Sequence, residues 1–234
     1  MEEIKCPVSI RLDHIWQKAD FFAFFSKYSP NKEKLIKKHT ILFNNGDELT
    51  QLCFIKEGFV KLYQLAENGR ETTIYLSGPG NVLGIRALTA QNESASHTAE
   101  ALTDLVIITI SRKSFLSILD QHPEHIVDLA HLFIERLNHT EKRLEGFIVT
   151  DATARVAHFL HDSALRFGVK VGSGTLLPLP LTHQRISEFV GSFRETVSVV
   201  MKRLEKENAI SLKRGKIMIP SMDKLLSIAY PQKS

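Results

Sequence analysis

The stretch Leu181-Thr-His-Gln-Arg-Ile-Ser-Glu-Phe-Val-Gly-Ser-Phe-Arg-Glu-Thr-Val-Ser-Val-Val-Met-Lys-Arg-Leu204 decides how this chain is read. Its apolar residues fall into two sets at helical spacing. Ile186, Phe189 and Val190 form one face, and Val197, Val200, Met201 and Leu204 form the other. Gly191 stands between them, where a tight inter-helix turn needs a residue tolerant of positive φ. Thr182 is placed to cap the first helix and Ser192 the second. The second helix then opens with Arg194, Glu195 and Ser198 on its polar side, followed by Val199. The pattern predicts a helix-turn-helix whose second helix presents side chains to base edges. A plain helical hairpin in a core shares the same periodicity, so the flanking residues must decide between the two.

The flanks favour a DNA reader. His183, Gln184 and Arg185 sit at the start of the first helix, where backbone N–H groups meet phosphates. Lys202, Arg203 and Lys206 make the second helix basic. The run Ile210-Ser-Leu-Lys-Arg-Gly-Lys-Ile-Met-Ile219 then reads as a β-hairpin with Arg214-Gly215 at its tip. Lys213, Arg214 and Lys216 make that hairpin a basic wing. Charge follows the same division. Residues 1–150 hold 17 Lys+Arg against 19 Asp+Glu, whereas residues 151–234 hold 13 against 7. The positive field lies where phosphate contact requires it.

The 234 residues suffice for two modest domains with real cores. Cys6 and Cys53 are the only cysteines, which argues against a disulfide framework and a four-thiolate iron–sulfur cluster. The opening Met1-Glu-Glu-Ile-Lys5 is charged and unlike a secretory signal, and no run is long enough to span a bilayer. The expected location is the bacterial cytoplasm, with no membrane partner.

Periodicity divides the rest. Residues 11–38 read as helical, with an aromatic cluster at Phe21, Phe22, Phe24 and Phe25. Short strands follow at Thr40-Ile-Leu-Phe43, Leu52-Cys-Phe-Ile-Lys-Glu57, Phe59-Val-Lys-Leu-Tyr-Gln-Leu65, Arg70-Glu-Thr-Thr-Ile-Tyr-Leu76, Thr98-Ala-Glu-Ala101 and Leu105-Val-Ile-Ile-Thr-Ile110. Asn68-Gly69 between alternating strands is a hairpin signal. Many short strands with regular turns predict a small barrel or jelly-roll. After Pro123 the helical period returns. Ile126, Leu129, Phe133, Leu137, Thr140, Leu144 and Phe147 step by 3, 4, 4, 3, 4 and 3, close to the repeat of a coiled-coil seam. Such a stripe, edged with charge, suits pairing with a second copy of the chain; a long helix packed on its own barrel is the alternative. Asp151 is placed to cap a helix running to about Phe167, and residues 168–174 read as a loop. The expected architecture is α+β, in three parts: helices and a β-roll over 1–122, a dimerisation helix over 123–149, and a winged helix-turn-helix over 150–234.

At this point the chain resembles the cyclic-AMP receptor protein/FNR family of bacterial transcription regulators. The resemblance covers nearly everything from about residue 20 onward. It is most specific at Gly191-Ser-Phe-Arg-Glu-Thr-Val197, and good at Asp151-Ala-Thr-Ala-Arg-Val-Ala157 and at the turn glycines Gly58, Gly69, Gly80 and Gly84. It implies a homodimer through residues 123–147 on a palindromic DNA site, with RNA polymerase as a further partner. It also implies an effector cavity among Gly84, Ile85, Arg86, His97, Thr98, Thr140 and Glu141. Two departures are informative. The family's nucleotide sensors carry a ribose-binding glutamate where Ile85 stands here, and a phosphate-binding arginine where His97 stands. An imidazole does not replace a permanently charged bidentate guanidinium. The resemblance therefore points to a small molecule other than cyclic AMP. In the recognition helix, Arg194 and Glu195 match the family's base-reading positions, but Val199 stands where many members carry arginine.

Other chemistries find little in the chain. His122 with His125, and His158 with His161, are spaced to share helix faces, but no Cys or acidic set completes a metal site. His97 is the weak haem candidate that the resemblance supplies. No cofactor is predicted. Cys53 reads as a small core residue. No glycine-rich phosphate loop and no nucleophile–base pair is present, so no enzyme activity is expected. Three readings stay open at this level: a ligand-responsive regulator, a constitutive regulator whose β-roll is only a scaffold, and a metabolite-binding protein or enzyme.

Overall fold

The structure, a computed structural model, describes residues 21–29, 33–88, 94–148, 151–213 and 215–230, with the side chains at 142, 145–148 and 213 outside that description. Residues 11–20 of the expected N-terminal helix, Arg214 of the wing tip and the side chains of Phe147 and Lys213 therefore fall outside it. The helix α1 (Phe21–Tyr28) is short. Residues 33–36 are not helical as expected: β1 (Glu33–Ile36) pairs antiparallel with β8 (Leu105–Ser111) as an edge strand. Here backbone pairing overrides a charged, weakly β-prone sequence.

The strands β2 (Ile41–Phe43), β3 (Gln51–Glu57), β4 (Val60–Leu65), β5 (Glu71–Ser77), β6 (Val82–Leu83) and β7 (Thr98–Ala101) complete two four-stranded antiparallel sheets. Their orders are β1-β8-β3-β6 and β2-β7-β4-β5. Alternating inward residues, among them Ile55, Val60, Leu62, Leu83, Ala99 and Leu105, fill the space between the sheets. On the outer side of the first sheet, Phe21, Phe24 and Phe25 pack with Phe54, Ile108, Ile110 and Phe115. This aromatic cluster fixes α1 and α2 (Arg112–Gln121) to the sheet.

The long helix α3 (His125–Ile148) follows. Leu129 and Leu132 turn into the aromatic cluster of their own chain, so Leu129 belongs to an intramolecular contact. Ile126, Val127, Phe133, Ile134, Leu137 and Leu144 remain exposed along the other side. Asp151 caps α4 (Ala152–Phe167), accepting from the Thr153 N–H. The stretch expected as a loop is instead a hairpin of β9 (Val169–Val171) and β10 (Gly174–Leu177). It pairs with the wing strands β11 (Ser211–Lys213) and β12 (Lys216–Ile219) in the order β11-β12-β10-β9. Strands of three or four residues carry too little alternation to be read from sequence. The helices α5 (His183–Val190), α6 (Arg194–Lys206) and α7 (Met222–Ala229) complete the C-terminal part. Their core is continuous with Phe59, Leu76 and Leu102 of the β-roll. No helix among the described residues is long and apolar enough to cross a membrane.

Candidate nucleic-acid interface and cavity

Helix α5 begins where Thr182 Oγ1 accepts from the Arg185 N–H at 3.2 Å. It ends at Gly191 in the left-handed region, φ 64° and ψ 44°. A side chain there would be strained, and the glycine turns the chain sharply into the next helix. Ser192 does not cap that helix. It is buried in the turn, its N–H bonding Ser187 O at 3.0 Å. Phe193 holds the N-cap position with extended backbone and no side-chain cap. Helix α6 buries Val197, Val200, Met201 and Leu204 nearly completely. Each such side chain stabilises the packing by about 1.5–3 kcal/mol. That burial fixes the opposite face outward.

On that face Arg194, Glu195, Val199 and Lys202 are exposed, and Val199 keeps 68% of its surface. Lys216 is exposed at the start of β12. Four expected DNA contacts are engaged within the fold: Thr182 in the α5 cap, Ser198 with His183, and Gln184. Ser198 Oγ donates to Arg194 O at 2.9 Å and lies 2.8 Å from His183 Nδ1, tying the two helices together. Gln184 Nε2 donates to Glu188 at 2.9 Å, although the residue is exposed beside the Thr182 cap. Arg185 reaches back to Pro180 O at 2.6 Å and so is turned toward its own loop.

The sequence reading missed how this unit is held. Arg70, on the β4–β5 hairpin, donates to Ser192 O at 2.8 Å, and its guanidinium lies 5.5 Å from the centre of the Phe193 ring. Arg143 on α3 donates to Thr73 O at 2.6 Å, to Ile74 O, and to Phe189 O at 3.1 Å, bridging β5 and the end of α5. Burial pushes the Arg143 guanidinium down to about 10, still protonated near neutrality. His139 on α3 meets Asp162 on α4 at 2.8 Å, and Arg166 lies 2.6 Å from the same imidazole and donates to Leu76 O.

A cavity of about 390 Å³ lies between the β-roll and α3. Of the expected effector residues, Gly84, Ile85, Arg86, His97 and Thr140 line it. Gly84 has φ +76°, and a Cβ there would stand 2.5 Å from Gln51 O, so only glycine lets this turn lie against β3. Ile85 is buried and opens a 3-10 turn (Ile85–Leu88). His97 Nδ1 lies 2.8 Å from Ser96 Oγ. Its pKa is lowered by burial and then by the Arg136 and Arg86 charges. Thr140 Oγ1 donates to Arg136 O at 2.9 Å. Two expectations are corrected. Thr98 Oγ1 accepts from the Asn45 N–H at 3.1 Å instead of facing the cavity, and Glu141 is exposed on α3 away from it. Arg136, His139 and Arg143 complete the wall from α3. Their spacing of three and four along one helix face was the available signal. Cys53 is buried in β3, and burial raises its thiol to about 11, which makes it inert as a nucleophile. No group of three or more metal-ligating side chains occurs among the described residues.

Known proteins resemble this chain in sequence and in fold. Residues 33–122 match the model of the cyclic nucleotide-binding domain, and residues 154–228 match that of the Crp-like helix-turn-helix domain. A global nitrogen regulator of Synechocystis sp. is 30% identical over 191 residues, covering 81% of this chain and 84% of its own. A CRP-like cAMP-activated global transcriptional regulator of Mycobacterium tuberculosis is 28% identical, covering 80% and 83%. The solved structure of FixK2 from Bradyrhizobium japonicum superposes with a TM-score of 0.75 at 21% identity, covering 86% of this chain and 98% of that one. That last likeness concerns the fold alone, but the sequence matches at both domains settle membership: the chain belongs to the Crp/Fnr family of DNA-binding transcription regulators.

Proposed function

We propose that the protein works as a homodimer on a palindromic DNA site and that a small molecule other than cyclic AMP, bound in the cavity, controls it. Residues 1–122 form the sensing unit, 123–149 the dimerisation helix and 150–234 the DNA-binding unit, in the bacterial cytoplasm with RNA polymerase as partner. The observation that carries this reading is the pairing of two exposed features. The start of α6 faces outward with Arg194 and Glu195, and α3 leaves an apolar stripe uncovered. A two-fold axis along α3 would set two such helices on one side of the dimer, as successive major grooves about 34 Å apart require. Selection of binding sites from random DNA tests it. An inverted repeat is expected, and recovery of a single unpaired half-site would contradict it.

Ile85 and His97 favour an effector other than cyclic AMP. Ile85 offers no acceptor for ribose hydroxyls. A histidine whose pKa is lowered is largely neutral near pH 7, so it cannot match a permanent charge at the cyclic phosphate. Titration calorimetry with millimolar cyclic AMP is expected to give no saturable heat, and micromolar binding would refute this. The constitutive reading is opposed by the size and wall chemistry of the cavity, since a mere scaffold has no need of one.

The wing takes the phosphate role. Lys216 is exposed at the start of β12, close in sequence to Lys213 and Arg214. Lys216→Ala is expected to weaken specific and random duplex alike, lowering the salt slope by about 0.9 for each phosphate no longer neutralised. Affinity measured across a salt series checks this, and a change confined to the specific site would assign Lys216 to base reading instead.

A further inference from the structure

We propose that the β-roll itself takes part in the DNA interface, through Arg70 at the tip of the β4–β5 hairpin, whose guanidinium pairs with a backbone phosphate beside the groove that α6 enters. The inference rests on the reading of α6 as the groove-entering helix and adds a contact from the other part of the chain.

The hairpin tip is a built turn. Gly69 stands at φ 76°, which glycine adopts without strain. The Gly69 N–H donates to Ala66 O at 2.8 Å, and the Ala66 N–H donates to Arg70 O at 2.9 Å. Asn68 Oδ1 accepts from the Arg70 N–H at 3.0 Å. These bonds fix the backbone from which the Arg70 side chain leaves. The side chain is fixed as well. One guanidinium N–H goes to Ser192 O at 2.8 Å, and the guanidinium centre lies 5.5 Å from the centre of the Phe193 ring. An arginine on an aromatic face keeps its remaining N–H donors at its own edge. Arg70 is exposed, and among the described residues no carboxylate pairs with it, since the neighbouring Glu71 is taken by Lys61. Phe193 keeps 69% of its surface, so the pair stands at the surface of the molecule and not in the seam between its two parts.

Position selects the partner. Ser192 precedes Arg194 by two residues, so the anchored guanidinium lies within about 10 Å of the Arg194 backbone. An α-helix with its side chains is about 10–12 Å across and fills a major groove about 12 Å wide, so phosphates run along both of its sides. A cation held beside the end of such a helix meets those phosphates and not base edges. Residues 1–150 hold 17 Lys+Arg against 19 Asp+Glu, so the β-roll offers DNA little general attraction. One pre-oriented arginine at its boundary supplies a contact that the rest of that surface cannot. A guanidinium already held by a carbonyl and a ring also loses little freedom on pairing.

The test measures affinity across a salt series for Arg70→Gln, on a duplex selected from random DNA and on a random-sequence duplex. Both affinities are expected to fall, roughly tenfold at low salt, and both salt slopes to drop by about 0.9 for each phosphate no longer neutralised. Arg70→Lys keeps the charge, so its slopes are expected to stay at the parent value. Circular dichroism and thermal melts of each variant control for folding. An unchanged slope in Arg70→Gln on either duplex overturns the proposal. That includes a loss of affinity on the selected site alone, which would make Arg70 a strut for the turn at Ser192. Tighter DNA binding in Arg70→Gln overturns it too, since the hairpin would then be a barrier holding α6 away from DNA. Arg194→Ala on the same duplexes separates this inference from the reading beneath it. An unchanged consensus in Arg194→Ala removes α6 as the reading helix. A relaxed consensus there, with Arg70→Gln indistinguishable from the parent, keeps α6 and removes Arg70.

Discussion

Leu137→Glu is expected to convert the protein to a monomer in sedimentation equilibrium and to weaken its binding to a full palindromic site by about 10²–10⁴-fold, the loss that follows when two linked contacts become one. Leu137 is 56% exposed in the single chain and lies one turn from Phe133 and two turns from Leu144, both also exposed. So much uncovered apolar surface on a helix of 24 residues is the mark of an interface. A glutamate in a helix–helix seam is desolvated without a partner and is strongly destabilising to the pair. Leu137 also touches the cavity, so Phe133→Glu, which does not line it, serves as the companion variant. Both are expected to dissociate the dimer. A tight dimer in both variants would place the interface elsewhere, and a monomer that still holds the full palindrome at the original affinity would detach DNA binding from dimerisation.

The sequence could not assign every member of that seam. A period of 3.5 marks which residues share a face, yet Leu129 lies on the face and packs into its own aromatic cluster. The difference is set by α1 and α2, whose placement no local pattern reveals. The same limit hid Arg136 and Arg143, since basic residues beside a seam read as solvated edges until a β-roll is laid against them. Gly191 was legible because positive φ is a local demand of a tight turn, whereas Gly84, also at positive φ, was reached only through the family resemblance. The buried face of α6 was legible because four apolar residues repeat at helical spacing. Ser192 misled for a physical reason. Capping chemistry is common to any serine before a helix, but this one is buried in the turn, and the helix starts a residue later. Thr98 misled likewise, because alternation along β7 is set by pairing with β4 and β2, and the Asn45 N–H claims its hydroxyl.

The second large effect is expected on base preference. Arg194→Ala should cost about 1–3 kcal/mol on the selected site and relax the requirement for one guanine in each half-site, because arginine reads guanine through two acceptors at once. Arg194 is the first residue of α6 and is exposed, with the helix oriented by Val197, Val200, Met201 and Leu204 behind it. Glu195, beside it, is also exposed and has the acceptor chemistry to take a cytosine amino group. Ser198, four residues on, is less available, since its hydroxyl bonds Arg194 O and faces His183. Val199 takes its place on the outward face, where a branched apolar side chain suits a thymine methyl group. Val199→Arg therefore tests the register of the whole helix. The new guanidinium enters open space, so the fold should tolerate it, and selection from random DNA should recover an additional guanine in each half-site. A gain in affinity without a change in consensus would mean that position 199 meets phosphate, and would turn α6 about its axis relative to the groove.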